Sequence, residues 1–308
     1  MGVAVKIAFL GYGEIGASVL QPLAAHHEVA VAVTHRQDFA GLGDNDVAPL
    51  AEWLGLPMLL ARNAGEPHVV DTLDDIGPDV LVSANWRTKV PENVLRIPSY
   101  YPINIHDALL PDYAGFGSVN WSIRNGETKI GLTVHVMERE LDTGPILHTL
   151  TVPIGPLDTA TTVTGELLKN YPDAVLTALD LIVQGAQPTP QPPGGSFYHR
   201  ITEVDTRIDW TEPTTRLLNL VRAQSDPFIN AWCLSDGHKL HIKSATRPSR
   251  PCRGTPGYIA TYTDGGVAVV CGPSWQNGTD GIVLLDVAQP GQAARPAAEI
   301  LAPGMRLT

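Results

Sequence analysis

The sequence predicts a two-domain α/β protein in which a parallel sheet is followed by a smaller β-barrel. The first observation is an apolar, β-branched run at residues 5–10 that passes through a glycine turn into a helix-like stretch ending near His26. The second is a run rich in proline and glycine at residues 185–195, which cannot form a helix and indicates a linker. The third is a series of short alternating runs after Phe228, at the spacing typical of small barrels.

Composition fits a globular protein and excludes several classes. The chain has 308 residues, 44% of them hydrophobic, which is enough for two domains to bury a core each. No apolar run is long enough to span a membrane, and the N-terminal run lacks the charged front and cleavage site of a signal peptide. The three cysteines have unrelated spacings, which indicates neither a disulfide framework nor a zinc site. We therefore expect a soluble, cytoplasmic protein with reduced thiols, no metal and no membrane partner.

Charge argues against a phosphate-binding surface. The chain carries 21 Lys and Arg against 32 Asp and Glu, a formal net charge of −11. Nucleic-acid binders usually present basic patches. Residues 37–47 form a loop rich in glycine and aspartate, with Asp38, Asp44 and Asp46 and no lysine, and the basic residues of 239–253 are expected to be a solvated face. We therefore expect no nucleic-acid partner, tRNA included.

The glycine turn at residues 11–16 matches G-x-G-x-x-G, for which two interpretations are open. Dinucleotide binding also needs an acidic residue at the end of the second strand. That strand, residues 29–33, ends instead in Thr34, His35 and Arg36. Because an arginine can accept a ribose phosphate, an NADP-dependent oxidoreductase remains an alternative. The favoured interpretation is that the glycines let the helix turn tightly off the strand.

Periodicity and turn residues predict the remaining elements. In the first domain they are helices at 49–54, 91–95 and 159–184 and strands at 79–83 and 146–152. In the second domain they are a helix at 214–223 and strands at 231–234, 239–242, 257–262, 266–271 and 281–287.

Residues 101–142 carry the predicted chemistry. Residues 103–106 alternate between apolar and polar, so a strand here places Asn104 and His106 on one face. The alternation stops at Leu109. A helix is predicted next at 118–125, with Ser118 as its N-cap.

A second alternating run and a polar loop complete this stretch. The run covers residues 130–137, and the loop, residues 138–144, carries Asp142. An asparagine amide can donate to a developing oxyanion, a histidine can exchange a proton near neutral pH, and an aspartate can orient that histidine. The cysteines lie far downstream and no G-x-S-x-G occurs, so the attacking group must come from a second substrate. The residues therefore favour direct group transfer.

The order and spacing of these residues resemble a known family. Asn104-Ile105-His106, the run from Ala108 to Gly115 and Asp142-Thr143-Gly144 are similar to the N-x-H, SLLPxYRG and D-x-G pattern of 10-formyltetrahydrofolate-dependent formyltransferases. Ala108 replaces the usual serine, Ala114 the usual arginine, and Asp107 a common glycine. These changes beside the reaction centre bear on the identity of the acceptor. Ile208-Asp209-Trp210 resembles the signature at the family's domain junction.

The resemblance implies a fold and a set of site residues. The fold is a Rossmann-like catalytic domain that binds no dinucleotide (residues 1–185), a linker (186–196) and an OB-like barrel (197–308). The expected catalytic residues are Asn104, His106 and Asp142. The expected folate contacts are Trp86, Leu109, Leu110, Pro111 and Gly144. The expected acceptor contacts are Gly11, Tyr12, Gly13, Arg87, Asp107 and Tyr113.

The activity we expect is transfer of a formyl group from 10-formyltetrahydrofolate to a primary amine of a small molecule, such as an amino sugar nucleotide or a specialised metabolite. A hydrolase that gives the formyl group to water is the closest alternative, because it could use the same side chains. Methionyl-tRNA formyltransferase is another. The NADP-dependent oxidoreductase and a non-catalytic binding module belong to different classes. The oligomeric state is open, with a homodimer as one option.

Overall fold

The computed structural model describes residues 4–37, 46–273 and 280–308. Asp38 and Asp44 of the predicted acidic loop lie outside these ranges. The chain divides into two compact units. The first comprises Met1–Gly115, Ile130–Val152 and Gly165–Tyr198, and the second Phe116–Lys129, Pro153–Thr164 and His199–Thr308.

A seven-stranded sheet forms the centre of the first unit. Its strands are β1 (Lys6–Gly11), β2 (Glu28–Thr34), β3 (Met58–Leu60), β4 (Val80–Ala84), β5 (Tyr101–His106), β7 (Lys129–Val136) and β8 (Ile146–Pro153). Their order is β3-β2-β1-β4-β5-β7-β8, with the first five parallel and β7 antiparallel to β5. A short strand, β6 (Ala114–Gly115), pairs separately with β9 (Phe197–Tyr198). The predicted Rossmann-like parallel sheet is confirmed.

Helices cover this sheet because its central strands are apolar on both faces. The helices of this part of the chain are α1 (Gly13–His26), α2 (Val47–Trp53), α3 (Pro67–Ile76), α4 (Glu92–Leu95) and α6 (Ala160–Val183). Leu10, Val33 and Leu81 of the sheet form one buried cluster with Val69 and Leu73 of α3. Burial of such a cluster is the main stabilising term for a parallel sheet. In the described ranges, no helix is both long and apolar enough to cross a membrane.

The second unit contains an antiparallel sheet. Its strands are β10 (Ala231–Ser235), β11 (His238–Thr246), β12 (Ile259–Thr263), β13 (Gly266–Cys271), β14 (Asp280–Ala288) and β15 (Arg295–Pro296). The order is β10-β11-β14-β13-β12, with β15 on β14. Ser235 at one edge bridges Leu307, and Tyr258 near the other edge bridges Arg306. The C-terminal residues thus link the two edges, as expected for a small barrel.

Two helices of the second unit were predicted with their observed bounds, but the cap of one was not. These are α5 (Ser118–Asn125) and α7 (Thr214–Ala223). The predicted N-cap at Ser118 is wrong, because Gly117 occupies the cap position with φ 65° and ψ 33°. Glycine adopts this left-handed conformation without steric cost, so the chain turns there and Ser118 becomes the first helical residue.

Candidate active site

Strands β5 and β7 bring four polar side chains to one face of the first unit's sheet. In their antiparallel register, Asn104 lies opposite His135 and His106 lies opposite Thr133. Directly opposed residues share a face and approach closely. The Asn104 Nδ2 atom lies 3.3 Å from His135 Nε2. The strand end therefore presents an amide and two imidazoles side by side.

Asp142 joins this group from the loop of residues 138–144, here called the D-x-G loop. Its Oδ2 lies 3.7 Å from His106 Nδ1, and its Oδ1 lies 3.5 Å from His135 Nε2. The Gly115 backbone N–H donates to Oδ2 at 2.9 Å. The Asp142 side chain is only 3% exposed. The structure thus brings the three sequence-predicted catalytic residues together and adds His135.

The surroundings of Asp142 favour its ionised form. Burial by itself raises the pKa of this carboxyl. The nearby His135 ring, the charge of His106 and the Gly115 N–H outweigh burial, so the pKa of Asp142 is lowered from its ordinary value. A carboxylate therefore faces both imidazoles at neutral pH.

His106 is held from both sides. Its Nε2 donates to the Tyr113 carbonyl oxygen at 2.8 Å, while Nδ1 faces Asp142. Tyr113 has φ 59°, and its ring stacks on Tyr198 with centroids 5.0 Å apart and an angle of 6° between the planes. With an acceptor opposite each nitrogen, the ring is oriented to carry a second proton.

His135 orients Asn104. The His135 Nδ1 donates to the Val136 carbonyl oxygen at 2.9 Å, so Nε2 of the neutral ring accepts a hydrogen from the Asn104 amide. The nitrogen of that amide is thereby directed into the site. Sequence reasoning missed His135. Its signal is that Thr133 and His135 are the polar residues in the buried part of β7, residues 130–135.

Gly144 allows the D-x-G loop to lie against β7. A Cβ atom at this position would overlap the Val136 carbonyl oxygen. Asp142, two residues earlier, has φ 59°, a conformation that aspartate tolerates better than most residues. The glycine thus brings the loop close enough for the carboxylate to reach both histidines, which accounts for Gly144 sterically.

Replacing Gly144 with alanine is therefore expected to destabilise the protein. The overlap forces the loop away from β7, at a cost of roughly 1–3 kcal/mol, the range for overpacked sites. Chemical denaturation of Gly144→Ala and of Gly55→Ala would measure it. Gly55 has φ 67° and open space around it, so Gly55→Ala measures the cost of backbone strain without steric overlap. Equal stability of wild type and Gly144→Ala would contradict the steric role.

Residues 107–113, here called the LLP loop, are fastened to β7. The Leu110 N–H donates to Thr133 Oγ at 3.2 Å, and the Thr133 hydroxyl donates to the Ala108 carbonyl at 2.6 Å. Leu109 packs so closely on Gly131 that a Cβ there would lie 2.5 Å from its Cδ2. The loop's backbone is therefore fixed beside His106.

Asp107, which replaces a common glycine, lies between the reaction centre and α6. Its carboxylate accepts a hydrogen bond from the phenol of the buried Tyr171. Burial raises the pKa of Asp107, and the opposing charges of His106 and Arg87 only reduce that shift. The chain thus keeps a second carboxyl group next to His106, in an environment different from that of Asp142.

The remaining predicted contacts gather at the carboxyl ends of β1, β2 and β4. The Asn85 amide donates to the Tyr12 carbonyl at 3.0 Å, and Arg87 donates to Asn85 Oδ1 at 2.7 Å. Trp86 stacks on the buried His35, with centroids 3.9 Å apart and 21° between the planes. In parallel sheets, ligands bind at this edge. Tyr12, Trp86 and Arg87 thus form a second group at the same sheet edge as β5.

The glycine turn has a steric explanation. A Cβ at Gly11 would overlap the Phe9 ring, and one at Gly16 would lie 2.7 Å from Val47 Cγ2. The Thr34 hydroxyl donates to the Gly11 carbonyl at 2.7 Å. His35 follows, where a dinucleotide fold would carry its acidic residue. Close helix–strand packing accounts for the glycines without a bound dinucleotide.

The cysteines offer no nucleophile. Cys233, Cys252 and Cys271 are free and buried. Burial raises the pKa of Cys233 to about 12 and that of Cys271 to about 11, so these thiols are protonated at neutral pH. Across the described ranges, His, Cys, Asp and Glu side chains form no group of three or more that could hold a metal ion. The chemistry of the site therefore rests on its amide, imidazoles and carboxylates.

Comparison with known proteins identifies the family. A profile described as formyl transferase matches residues 5–179, and one described as formyl transferase, C-terminal domain, matches residues 200–303. A methionyl-tRNA formyltransferase of Roseiflexus castenholzii is 34% identical over 316 residues, covering 99% of this chain and 98% of that protein.

Two solved structures show the same fold. The sugar 3N-formyl transferase WlaRD, crystallised in the presence of dTDP and 5-N-formyl-THF, has a TM-score of 0.66 at 18% identity and covers 95% of this chain and 100% of its own. HypX from Aquifex aeolicus in complex with tetrahydrofolic acid has a TM-score of 0.64 at 20% identity. That match covers 97% of this chain and 47% of HypX.

The expectation that nucleic acid plays no part is wrong. It was drawn from the net charge and the acidic loop, yet sequence relatives over nearly the full chain are named methionyl-tRNA formyltransferase. Net charge is a sum over the whole surface, whereas a nucleic-acid contact needs only a local patch of positive charge. Two matching domain profiles and relatives at this identity leave no doubt about the family: the chain belongs to the formyl transferases and carries both their N-terminal and their C-terminal domain.

Proposed function

We propose that this protein is an N-formyltransferase that moves the formyl group of 10-formyltetrahydrofolate to a primary amine. The proposal rests on a row of four side chains: Asn104, His135, Asp142 and His106. Polar atoms of neighbouring members of this row lie 3.3 to 3.7 Å apart. This group offers an oxyanion donor and a proton carrier but no nucleophile of its own. Such a set suits transfer between two bound substrates.

The first step is attack of the neutral amine on the formyl carbon. A bond forms between the amine nitrogen and that carbon, and the formyl oxygen takes on negative charge. His135 holds the Asn104 amide with its nitrogen directed into the site, and one of its two hydrogens remains for this oxygen. A protonated His106 adds a positive charge beside this oxygen. Donors fixed in advance stabilise such an intermediate more than water does.

The second step returns tetrahydrofolate. The bond between the formyl carbon and N10 breaks, and the proton lost by the amine is delivered to N10. His106 is the carrier: its protonated ring gives a proton to N10 and takes one from the amine, while Asp142 stabilises the charged form. The products are the N-formyl compound and tetrahydrofolate, and no group stays on the protein.

The cosubstrate fits the edge of the sheet at β4 and β5. Trp86 and Leu109 are half-buried, so each keeps apolar surface available to a flat pterin ring. The backbone of the LLP loop is fixed by β7, which suits a loop that must present peptide groups to a ligand. Folate in the crystals of WlaRD and HypX supports this choice of cosubstrate for a related fold.

The first acceptor to test is methionyl-tRNA, because full-length relatives carry that name. A small amine is a second candidate, favoured by a local observation. Two lysines of the predicted basic cluster are engaged by carboxylates: Lys239 pairs with Glu203, and Lys243 lies 2.7 Å from Asp226. Ala114, where the family usually carries arginine, also removes a cation beside the reaction centre.

Acceptor-dependent release of tetrahydrofolate tests the proposal. Purified protein with 10-formyltetrahydrofolate is assayed alone, with methionyl initiator tRNA, and with a panel of amino sugar nucleotides and diamines. Release that requires one of these acceptors, with an N-formyl product of the expected mass, supports transfer. Release of equal rate without any acceptor, with formate as product, supports the hydrolase instead and contradicts the proposal.

A further inference from the structure

The proline- and glycine-rich segment that follows α6 lies against both loops of the candidate active site. Residues 189–198, here called the clamp segment, belong to the first unit. Resting on the proposed function, we propose that Gln191 and Ser196 of this segment are positioning residues for the reaction. They hold the two groups that face His106, namely Asp142 and the Tyr113 carbonyl.

Gln191 fixes the D-x-G loop. Its Nε2 lies 2.8 Å from the Asp142 carbonyl oxygen and 2.8 Å from the Gly144 carbonyl oxygen. One amide therefore satisfies two carbonyls of the same turn with both of its hydrogens. In this turn Asp142 has φ 59°, a conformation that a non-glycine residue keeps only when its surroundings enforce it. Gln191 supplies that restraint on the backbone of the carboxylate.

Ser196 fixes the LLP loop. Its hydroxyl oxygen accepts the Tyr113 N–H at 3.0 Å, and its own N–H donates to the Pro111 carbonyl at 3.2 Å. Its carbonyl accepts the Ala114 N–H at 2.9 Å. Tyr113 also has a positive φ, and its carbonyl is the partner of His106 Nε2. Ser196 therefore holds Pro111 and Tyr113 of the loop that orients the imidazole, and Ala114 directly after it.

Both ends of the clamp segment are anchored. At its start, Thr189 exchanges two backbone hydrogen bonds with Ile146, of 2.7 and 2.8 Å. At its end, β9 pairs with β6. Gly195 passes so close that a Cβ there would overlap the Pro111 carbonyl oxygen. The segment is therefore part of the site's scaffold, and its glycine serves close approach rather than flexibility.

The proposed role predicts a loss of turnover without loss of binding. Neither side chain donates to the reacting atoms, so cosubstrate affinity should depend on them weakly. Displacement of Asp142 or Tyr113 changes the geometry around His106, and a misplacement of about 1 Å can cost on the order of 100-fold in rate. For Gln191→Ala we expect kcat to fall roughly 10-fold to 100-fold, with the KM for 10-formyltetrahydrofolate within about twofold of wild type.

Gln187 provides a matched control. It lies in the same proline-rich stretch, is exposed, and donates to the nearby Gly185 carbonyl at 3.2 Å. Gln187→Ala should therefore keep wild-type kcat and KM. If Gln191→Ala does not fold, Ser196→Ala removes a single acceptor, the hydroxyl that binds the Tyr113 N–H, and is expected to lower kcat in the same way.

The closing experiment combines kinetics with nitrogen-15 NMR of the His106 ring in the full chain without substrates. We expect both ring-nitrogen shifts of His106 to differ from wild type in Gln191→Ala and to be unchanged in Gln187→Ala. Folded Gln191→Ala with unchanged His106 shifts and unchanged kcat would overturn the positioning role. The NMR readout also separates two failures. If the wild type transfers no formyl group but the shifts move as expected, the proposed function fails and the positioning role stands.

Discussion

Replacing His106 with alanine is expected to lower kcat for formyl transfer by about 100-fold or more, the scale found when a general acid–base group is removed. The ring lies between the Asp142 carboxylate and the Tyr113 carbonyl, and in the proposed mechanism it supplies positive charge near the oxyanion and carries the proton to N10. Steady-state assay of the purified variant with saturating cosubstrate measures the effect. Circular dichroism should show a folded protein, because the His106 side chain contributes polar contacts rather than core packing.

A surface histidine provides the control for this substitution. His68 on α3 is half-exposed and lies 3.8 Å from Glu66, so His68→Ala should keep full turnover. Near-normal turnover of folded His106→Ala would remove this residue from the mechanism. Loss of activity in both variants would indicate that removing a histidine lowers activity in general, and would give no support to a catalytic role of His106.

Asp142→Asn is expected to bind the folate cosubstrate but to lose most activity, by about 100-fold or more. The asparagine amide has nearly the same shape as the carboxylate, but it carries no charge to stabilise a protonated His106. Its NH2 group can also face the Gly115 N–H, which donates to the carboxylate in the wild type. Equilibrium binding by fluorescence and single-turnover rates separate the two effects. Asp75→Asn, an exposed position on α3, serves as the control. If folate binding disappeared instead, Asp142 would be a cosubstrate contact first.

The same substitution has a pH signature in stability. The folded-state pKa of Asp142 is lowered, so ionisation of this group stabilises the fold. That contribution is complete above the unfolded value of about 3.9 and is lost as pH falls through the lower folded value. Urea unfolding should therefore show wild type more stable than Asp142→Asn at pH 6, with the difference shrinking below about pH 4. A difference that grows towards acid pH would contradict the assigned charge.

Local sequence patterns predicted most of the fold, because their signals are strong there. The β-branched run of β1, the alternation of β5 and the apolar spacing of α7 each indicate one element type. Strand β3 has three residues and no period to detect. Helix α3 begins at Pro67 and has Val69, Leu73 and Ile76 at helical spacing, so its signal was present in the sequence. Both were missed, although β3 only extends an edge of the sheet.

The site was predictable where its residues form a motif and not where tertiary pairing creates it. Asn104, His106 and Asp142 follow from spacing, and the structure places them together. His135 becomes visible only when β7 pairs antiparallel to β5, a register that sequence alone does not specify. The role of Gln191 was missed for a similar reason. The composition of its segment indicates a linker, and its contacts are with the D-x-G loop, far away in the sequence.

The measurement that tests the central claim most directly is a rapid-quench experiment with 10-formyltetrahydrofolate labelled in the formyl carbon and the acceptor found in the assays above. Direct transfer at the Asn104, His106 and Asp142 group predicts that labelled N-formyl product and tetrahydrofolate appear at the same rate and in equal amounts, with no label on the protein. Asn104→Ala should slow both equally, by roughly 100-fold to 1,000-fold. Label retained on the protein, or tetrahydrofolate released faster than N-formyl product while formate accumulates, would contradict the account.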